Sequence, residues 1–207
     1  MEPAWLTFGK RLQAIASTGL HFSADPFDRE RYAEIASIAT EMLASLGRVP
    51  IERIEGLVPD FARGYATPRV DVRGALIEND AILLVRERSD GRWALPGGFA
   101  DVGLSAARNV EKEIAEEAGL RVRADRLYGV RHKAATDYAA DVRDFYKMFF
   151  LCRRLDGAAA RPGAETSDAR FFARGDLPTL SRGRTIERDI DAAFDFRANV
   201  ARPALFD

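Results

Sequence analysis

The chain has 207 residues, a net charge of −1, and 47% hydrophobic against 30% charged residues. That length fills one domain and leaves room for a small second one, and the balanced charge excludes broad electrostatic attraction to nucleic acid or a membrane surface. Its single cysteine, Cys152, cannot form an internal disulfide, which fits a reducing cytoplasm, and its place in the run FFLC marks it as a packing residue.

The first residues, MEPAWLTFGKRL, lack the basic segment and apolar core of a signal peptide, and no stretch reaches the roughly 18–20 apolar residues of a membrane span. Residues 3–18 read as a helix, with Trp5, Phe8, Leu12 and Ile15 at helical spacing and Gly19 as its stop. A second helix is expected from Asp28, with Phe27 and Tyr32 as a hydrophobic staple. Ile35, Ile38, Ala39, Met42, Leu43 and Leu46 form its apolar stripe up to Gly47. A short third helix is expected over Ile51–Leu57, and Val58–Pro68, with its Gly and Pro punctuation, reads as a linker. Helices this few make a thin core, so their stripes are expected to bury against the rest of the chain or a second subunit. Trp5, Phe22, Tyr32 and Tyr65 are read mainly as core aromatics, with Tyr65, near the junction, the one placed to meet a ligand.

From Val70 the period changes. VDVRGALIE and AILLVRE are short strand-type runs separated by the turn pair Asn79–Asp80. Residues 121–131, 144–152 and 168–173 supply further strands, and a last helix over about Thr185–Arg197 carries Ile186, Ile190, Ala193 and Phe194. Strands of this kind with two helices predict a mixed sheet between helical layers.

Between them lies the stretch that carries chemistry, GGFADVGLSAARNVEKEIAEEAGL, Gly97–Leu120. A Gly-rich loop leads into a helix expected at Ala106–Ala118, with Ser105 as its N-cap and Gly119 just past its end. Glu113, Glu116 and Glu117 stand at i, i+3 and i+4, so three carboxylates share one helical face, opposite the apolar stripe Ala107, Val110, Ile114 and Ala118. Carboxylates so close stay charged together only when solvated or neutralised by cations. Alone, the acidic run reads as a solvated face; with the loop before it, it reads as a site for a hard divalent cation, which takes oxygen ligands and substrate phosphates. No paired Cys/His ligands point to zinc.

The segment resembles the Nudix hydrolase signature, G-x5-E-x7-R-E-U-x-E-E-x-G-U with U a bulky aliphatic residue. Gly98, Glu113, Ile114, Glu116, Glu117, Gly119 and Leu120 match at their places, and RWALPG, Arg92–Gly97, resembles the family's approach to the box. Leu104 replaces the usual Glu and Lys112 the usual Arg. The start WL…LQAIASTGLHF, DPFDRERYAEIASIA and the junction GYATPRVDVRG also resemble bacterial Nudix hydrolases of X-linked nucleoside diphosphates that carry an N-terminal domain.

The resemblance implies an α+β protein: a small N-terminal helical domain for substrate or dimer contacts, residues 1–64, then a Nudix α/β/α sandwich with a mixed sheet, residues 65–207. It implies Mg²⁺, with Mn²⁺ as an alternative, held by Glu116, Glu117 and the Gly97 carbonyl, and Glu113 as a further ligand or the base. Glu113, Glu117 and Lys112 would be the catalytic set, Lys112 orienting Glu113 as a point charge without the arginine's planar fork. Arg73 and Arg86 are candidates to clamp a diphosphate, with surface pairing to Glu87 or Asp90 as their other reading, and Tyr65 is the candidate aromatic contact. Glu165 is a minor candidate for an extra carboxylate, and His21 and His132 read as packing or surface residues. The implied substrate is ADP-ribose or CDP-choline, and the implied assembly a cytoplasmic homodimer. The readings kept beside it are a non-turning-over regulatory nucleotide-binding protein and an RNA-end pyrophosphohydrolase, the latter resting only on the short basic patch SRGRTIER.

Overall fold

The computed structural model describes residues 2–48, 50–52, 54, 65–199 and 201–207. The chain divides into two compact units, Met1–Arg69 with Ala140–Phe145, and Val70–Ala139 with Tyr146–Asp207.

The first unit is built on two helices, α1 (Ala4–Phe22) and α2 (Pro26–Gly47). α1 runs straight through Gly19, which is not its stop. A Cβ at Gly19 would meet the Tyr32 ring at 2.4 Å, so this residue is small because α2 lies against it. The buried face of α1 is Leu6, Gly9, Gln13, Ala16 and Ser17. Small side chains let the two backbones approach, and the Gln13 amide donates to the Ala36 carbonyl and the Thr40 hydroxyl across the gap. α2 is capped by Asp25, not Asp28: its carboxylate accepts from the N–H groups of Phe27 and Asp28, with Pro26 at the first helical position. Leu6, Leu43, Ala44 and Ile54 form the local core. Four large side chains of the expected stripes face outward: Phe8, Ile15, Ile38 and Leu46 are exposed, as are Phe22 and Tyr65, which corrects the reading of those two as core aromatics. The Val58–Pro68 linker and the end of the Ile51–Leu57 helix fall mostly outside the described residues.

The second unit is a mixed sheet between two helices. Its strands are β1 (Arg69–Glu78), β2 (Ala81–Glu87), β3 (Trp93–Ala94), β4 (Val122–His132), β5 (Phe145–Arg154), β6 (Thr166–Ala173) and β7 (Leu205–Phe206). They order as β3-β2-β1-β5-β4-β7, with β6 also on β2. Asn79 and Asp80 both take positive φ, the tight turn whose twist suits the β1–β2 hairpin. β2 pairs antiparallel with β1, β3 and β6, and β4 with β5, while β7 runs parallel to β4.

Alternation along β1 sends its side chains to two cores. Val72 and Leu76 pack with Val110, Ile114 and Ala118 of α3 (Ala106–Ala118). Ala75 and Ile77 pack with Ile190, Ala193 and Phe196 of α4 (Glu187–Ala198). The result is an α+β architecture, a helical pair followed by a helix–sheet–helix sandwich.

If Gly19 is small for packing, Gly19→Ala destabilises the pair even though alanine is the better helix former. The expected cost is about 1–3 kcal/mol, read as faster amide exchange across α1 and α2, and Tyr32→Ala in the same chain should recover much of it.

Candidate active site

The loop before α3 is fastened to β1. Val72 N–H donates to the Gly98 carbonyl at 2.8 Å, Gly74 N–H to Pro96 at 2.9 Å, and Ala100 N–H to Val70 at 2.9 Å. At the centre Gly97 has φ +143°, and a Cβ there would stand 2.0 Å from the Val72 carbonyl oxygen. Only glycine permits this approach. Its N–H then donates to Glu117 Oε2 at 2.7 Å, tying the loop to α3.

α3 begins and ends where its sequence places it. The Ser105 hydroxyl accepts from Arg108 N–H at 3.2 Å, and Gly119 takes the left-handed turn at φ +67°. Asn109, fully buried, was not singled out in the sequence. Its Oδ1 accepts from Asp101 N–H at 2.8 Å and its Nδ2 donates to the Ser105 carbonyl at 3.2 Å, so it braces the inside of the loop. The available signal was an amide beside the helix's apolar stripe.

The three box carboxylates sit in different environments. Glu117 is 7% exposed. Burial pushes its pKa up to about 8; Arg73 and the Gly97 N–H oppose the rise, while Glu87 and Glu113 add to it. Glu113 is half-buried against Gly98, where an added Cβ would meet its carboxylate oxygens at 3.1 and 3.3 Å. Burial raises its pKa too, with Lys112 and Arg73 opposing and Glu116 and Glu165 adding. Glu116 is exposed and pairs with Lys112 Nζ at 3.0 Å. Lys112 also reaches Asp101 at 3.1 Å, so it forms ion pairs with Glu116 and Asp101 and acts on Glu113 through charge.

The other expected residues divide. Arg73 is buried, its guanidinium gripping both Asp71 oxygens, at 2.8 and 2.9 Å, and the Leu95 carbonyl at 3.1 Å. Arg86 is exposed, its Nε donating to the Gly91 carbonyl at 2.8 Å. Tyr65 belongs to the first unit. Glu165 is exposed, and its charge bears on both Glu113 and Glu87. Glu87, named in the sequence only as a surface partner, is a buried carboxylate of β2 paired with Arg184 Nε at 3.1 Å. His132 packs edge-on to Tyr146, with ring centroids 5.9 Å apart.

Among the described residues, no three His, Cys, Asp or Glu side chains stand gathered as a ready metal cage. The donor chemistry still fits a hard divalent cation. Glu113 and Glu117 converge on the Gly97–Gly98 turn, burial raises both, and neighbouring carboxylates raise them further. The fixed cation nearby, Arg73, is already bonded to Asp71. A bound cation with oxygen ligands relieves that repulsion.

Residues 67–194 match the NUDIX domain family, and residues 3–58 match the UDP-X-like N-terminal oligomerisation domain. The chain belongs to the Nudix family. It is a Nudix hydrolase, of a family whose members generally use divalent metal ions. Bacillus subtilis YjhB, whose name carries a provisional ADP-ribose pyrophosphatase assignment, is 40% identical across 100% of this chain and 99% of its own. A crystal structure of a UDP-X diphosphatase aligns over 98% of both chains at 35% identity, with a TM-score of 0.64. An ADP-ribose pyrophosphatase from Streptococcus suis aligns over 68% of this chain and all of its own at 38% identity, with a TM-score of 0.62.

The raised Glu117 pKa has a signed consequence for the metal-free enzyme. A carboxyl whose folded pKa lies above its unfolded one holds its proton more tightly when folded, so stability falls as pH rises from about 4.5 towards about 8. Glu117→Gln, which cannot ionise, should therefore raise Tm in chelator at pH 8 and change it little at pH 4.5. Thermal scans across that range check it, and equal shifts at both pH values would contradict it.

Proposed function

We propose that this Nudix hydrolase cleaves the diphosphate of a nucleoside diphosphate linked to a second group, with Mg²⁺ as its metal and ADP-ribose as its first substrate. The observation that carries this reading is the convergence of Glu113 and Glu117 on the Gly97–Gly98 turn of a matched Nudix box. ADP-ribose is supported by the names of the relatives that align across much or all of the chain. The UDP-X diphosphatase likeness widens the class to other nucleoside diphosphates, and the sequence resemblance adds CDP-choline.

Glu116, Glu117 and the Gly97 carbonyl would hold the cation, with Mn²⁺ as the alternative ion. When bound, it neutralises phosphate charge and acidifies a water molecule. Glu113 would accept the proton of the attacking water, and burial raises its proton affinity above that of an ordinary glutamate. Lys112 keeps Glu116 and Asp101 in register at the edge of the site. Arg86, exposed on β2, is the better placed of the two arginines to meet a phosphate, while Arg73 supplies fixed positive charge from behind the loop. Water adds across the P–O–P bridge, so ADP-ribose yields AMP and ribose 5-phosphate.

The helical unit, taken as the domain 1–64, would pair two copies in a cytoplasmic homodimer through its exposed Phe8, Ile15, Ile38 and Leu46, with Tyr65 available to a ligand. Among the described residues no helix is long and apolar enough to cross a membrane.

Incubation with Mg²⁺ and a panel of ADP-ribose, CDP-choline, nucleotide sugars and capped RNA, with products separated by chromatography, tests the reading. Turnover of a diphosphate-linked compound is expected, with Glu113→Gln lowering kcat by about 10²–10⁴-fold and Glu117→Gln losing metal-dependent turnover. Tight binding without hydrolysis would favour the regulatory reading, and cleavage of RNA ends alone would favour the third.

A further inference from the structure

Behind the loop Arg73 belongs to a set of buried charges whose other members, Asp71 and Lys147, have no part in the proposed reaction. Asp71 and Arg73 stand two residues apart on β1 and so share a face, and Lys147 reaches the same place from β5, the next strand. Lys147 is 1% exposed and Arg73 3%. Lys147 Nζ donates to Asp71 Oδ1 at 3.0 Å, and Arg73 closes on both oxygens of the same carboxylate. The remaining Arg73 nitrogen, Nη1, donates to the Leu95 carbonyl, while Leu95 N–H donates to Thr185 Oγ1 at 2.9 Å. Leu95 is thus held from both sides, two residues before Gly97 meets Glu117.

Two cations face the Asp71 carboxylate, and Asp189 adds its charge to Lys147 from farther off. The charge of Arg73 reaches Glu87, Glu113 and Glu117. Without Lys147, Asp71 would cancel Arg73 alone. Keeping an ammonium here is costly: burial pulls Lys147 down to about 8 despite Asp71 beside it and the Tyr138 ring 5.2 Å away. An apolar side chain of the same length would serve packing at least as well.

We propose that Lys147 is a positioning residue: through Asp71 it sets Arg73, and Arg73 sets the Leu95 carbonyl and the Gly97–Gly98 turn on which Glu113 and Glu117 converge. This rests on the hydrolase reading for its catalytic consequence, but the ordering of the loop can be measured without any substrate.

The test compares the full-length wild type with Lys147→Met, Lys147→Arg and the double variant Asp71→Asn/Lys147→Met. Thermal unfolding, amide exchange over residues 95–100, and kcat and KM on whichever compound the wild type hydrolyses are measured. Lys147→Met should fold with a Tm no lower than wild type, exchange faster over 95–100, and lose about tenfold to a hundredfold in kcat with KM little changed. Lys147→Arg, which keeps the charge, should recover most of the kcat. Wild-type exchange over 95–100 in folded Lys147→Met overturns the proposal, and so does a kcat loss that arginine does not rescue. If the wild type hydrolyses nothing in the panel, the hydrolase reading fails and the exchange result still decides the brace. If Lys147→Met does not fold, the double variant must show the faster exchange; failure of both to fold makes Lys147 a requirement of the fold and overturns its positioning role.

Discussion

The contact on which the site depends is the close approach of Gly97 to β1. A side chain there would collide with the Val72 carbonyl, so the loop lies flat on the strand only because the residue has none. Flatness lets Val72 and Gly74 bond the loop on either side of Gly97 and leaves the Gly97 N–H directed at α3. One hydrogen bond, from Gly97 to Glu117, then joins sheet, loop and helix. Glu117 is buried because it serves that joint, and its raised pKa follows from the burial. The joint and the candidate chemistry therefore fall on the same carboxylate.

That joint gathers negative charge. Glu87, Glu113 and Glu117 lie within each other's fields or within that of Arg73, and Glu116 and Glu165 add to it from the exposed side. A fold that buries carboxylates must neutralise them, protonate them or lend them to a cation. The resident cations are largely committed: Arg73 to Asp71 and Leu95, Lys112 to Glu116 and Asp101, Arg184 to Glu87. What is left over is carboxylate character facing the Gly97–Gly98 turn, which is the condition a divalent cation meets.

The box was legible in the sequence because its logic is local. Ser105 and Gly119 bound α3 through contacts a few residues long, and the i, i+3, i+4 spacing sets the carboxylate face by helical geometry alone. The β1–β2 hairpin was legible for the same reason, through Asn79–Asp80. Asp71, Glu87 and Lys147 were not, because their meaning lies in partners on other elements: Lys147 stands 76 residues from Asp71, and Glu87 meets Arg184 from beyond β6. Arg73 reads in the sequence as a candidate phosphate clamp, whereas in the fold both Asp71 oxygens hold it. In the first unit the error ran the other way. Apolar residues at helical spacing predict the packing face, but α1 and α2 approach closely on small residues around Leu6 and Leu43, and Phe8, Ile15, Ile38 and Leu46 are left outside.

The two departures from the family signature meet at one edge of α3. Leu104 leaves the loop without a carboxylate at its place and is itself exposed. Lys112, shorter in reach than the arginine's fork, joins Asp101 in the loop to Glu116 one helical turn on. The pair therefore fastens the outer edge of the loop, where Asn109 fastens the inner. Glu113 is then governed mainly by burial and opposed only through space by Lys112 and Arg73, which leaves it with the raised proton affinity that a base requires. An arginine bonded directly to Glu113 would lower that affinity. The substitution of Lys for Arg thus moves one constraint from the candidate base to the loop, without removing any of the three box carboxylates.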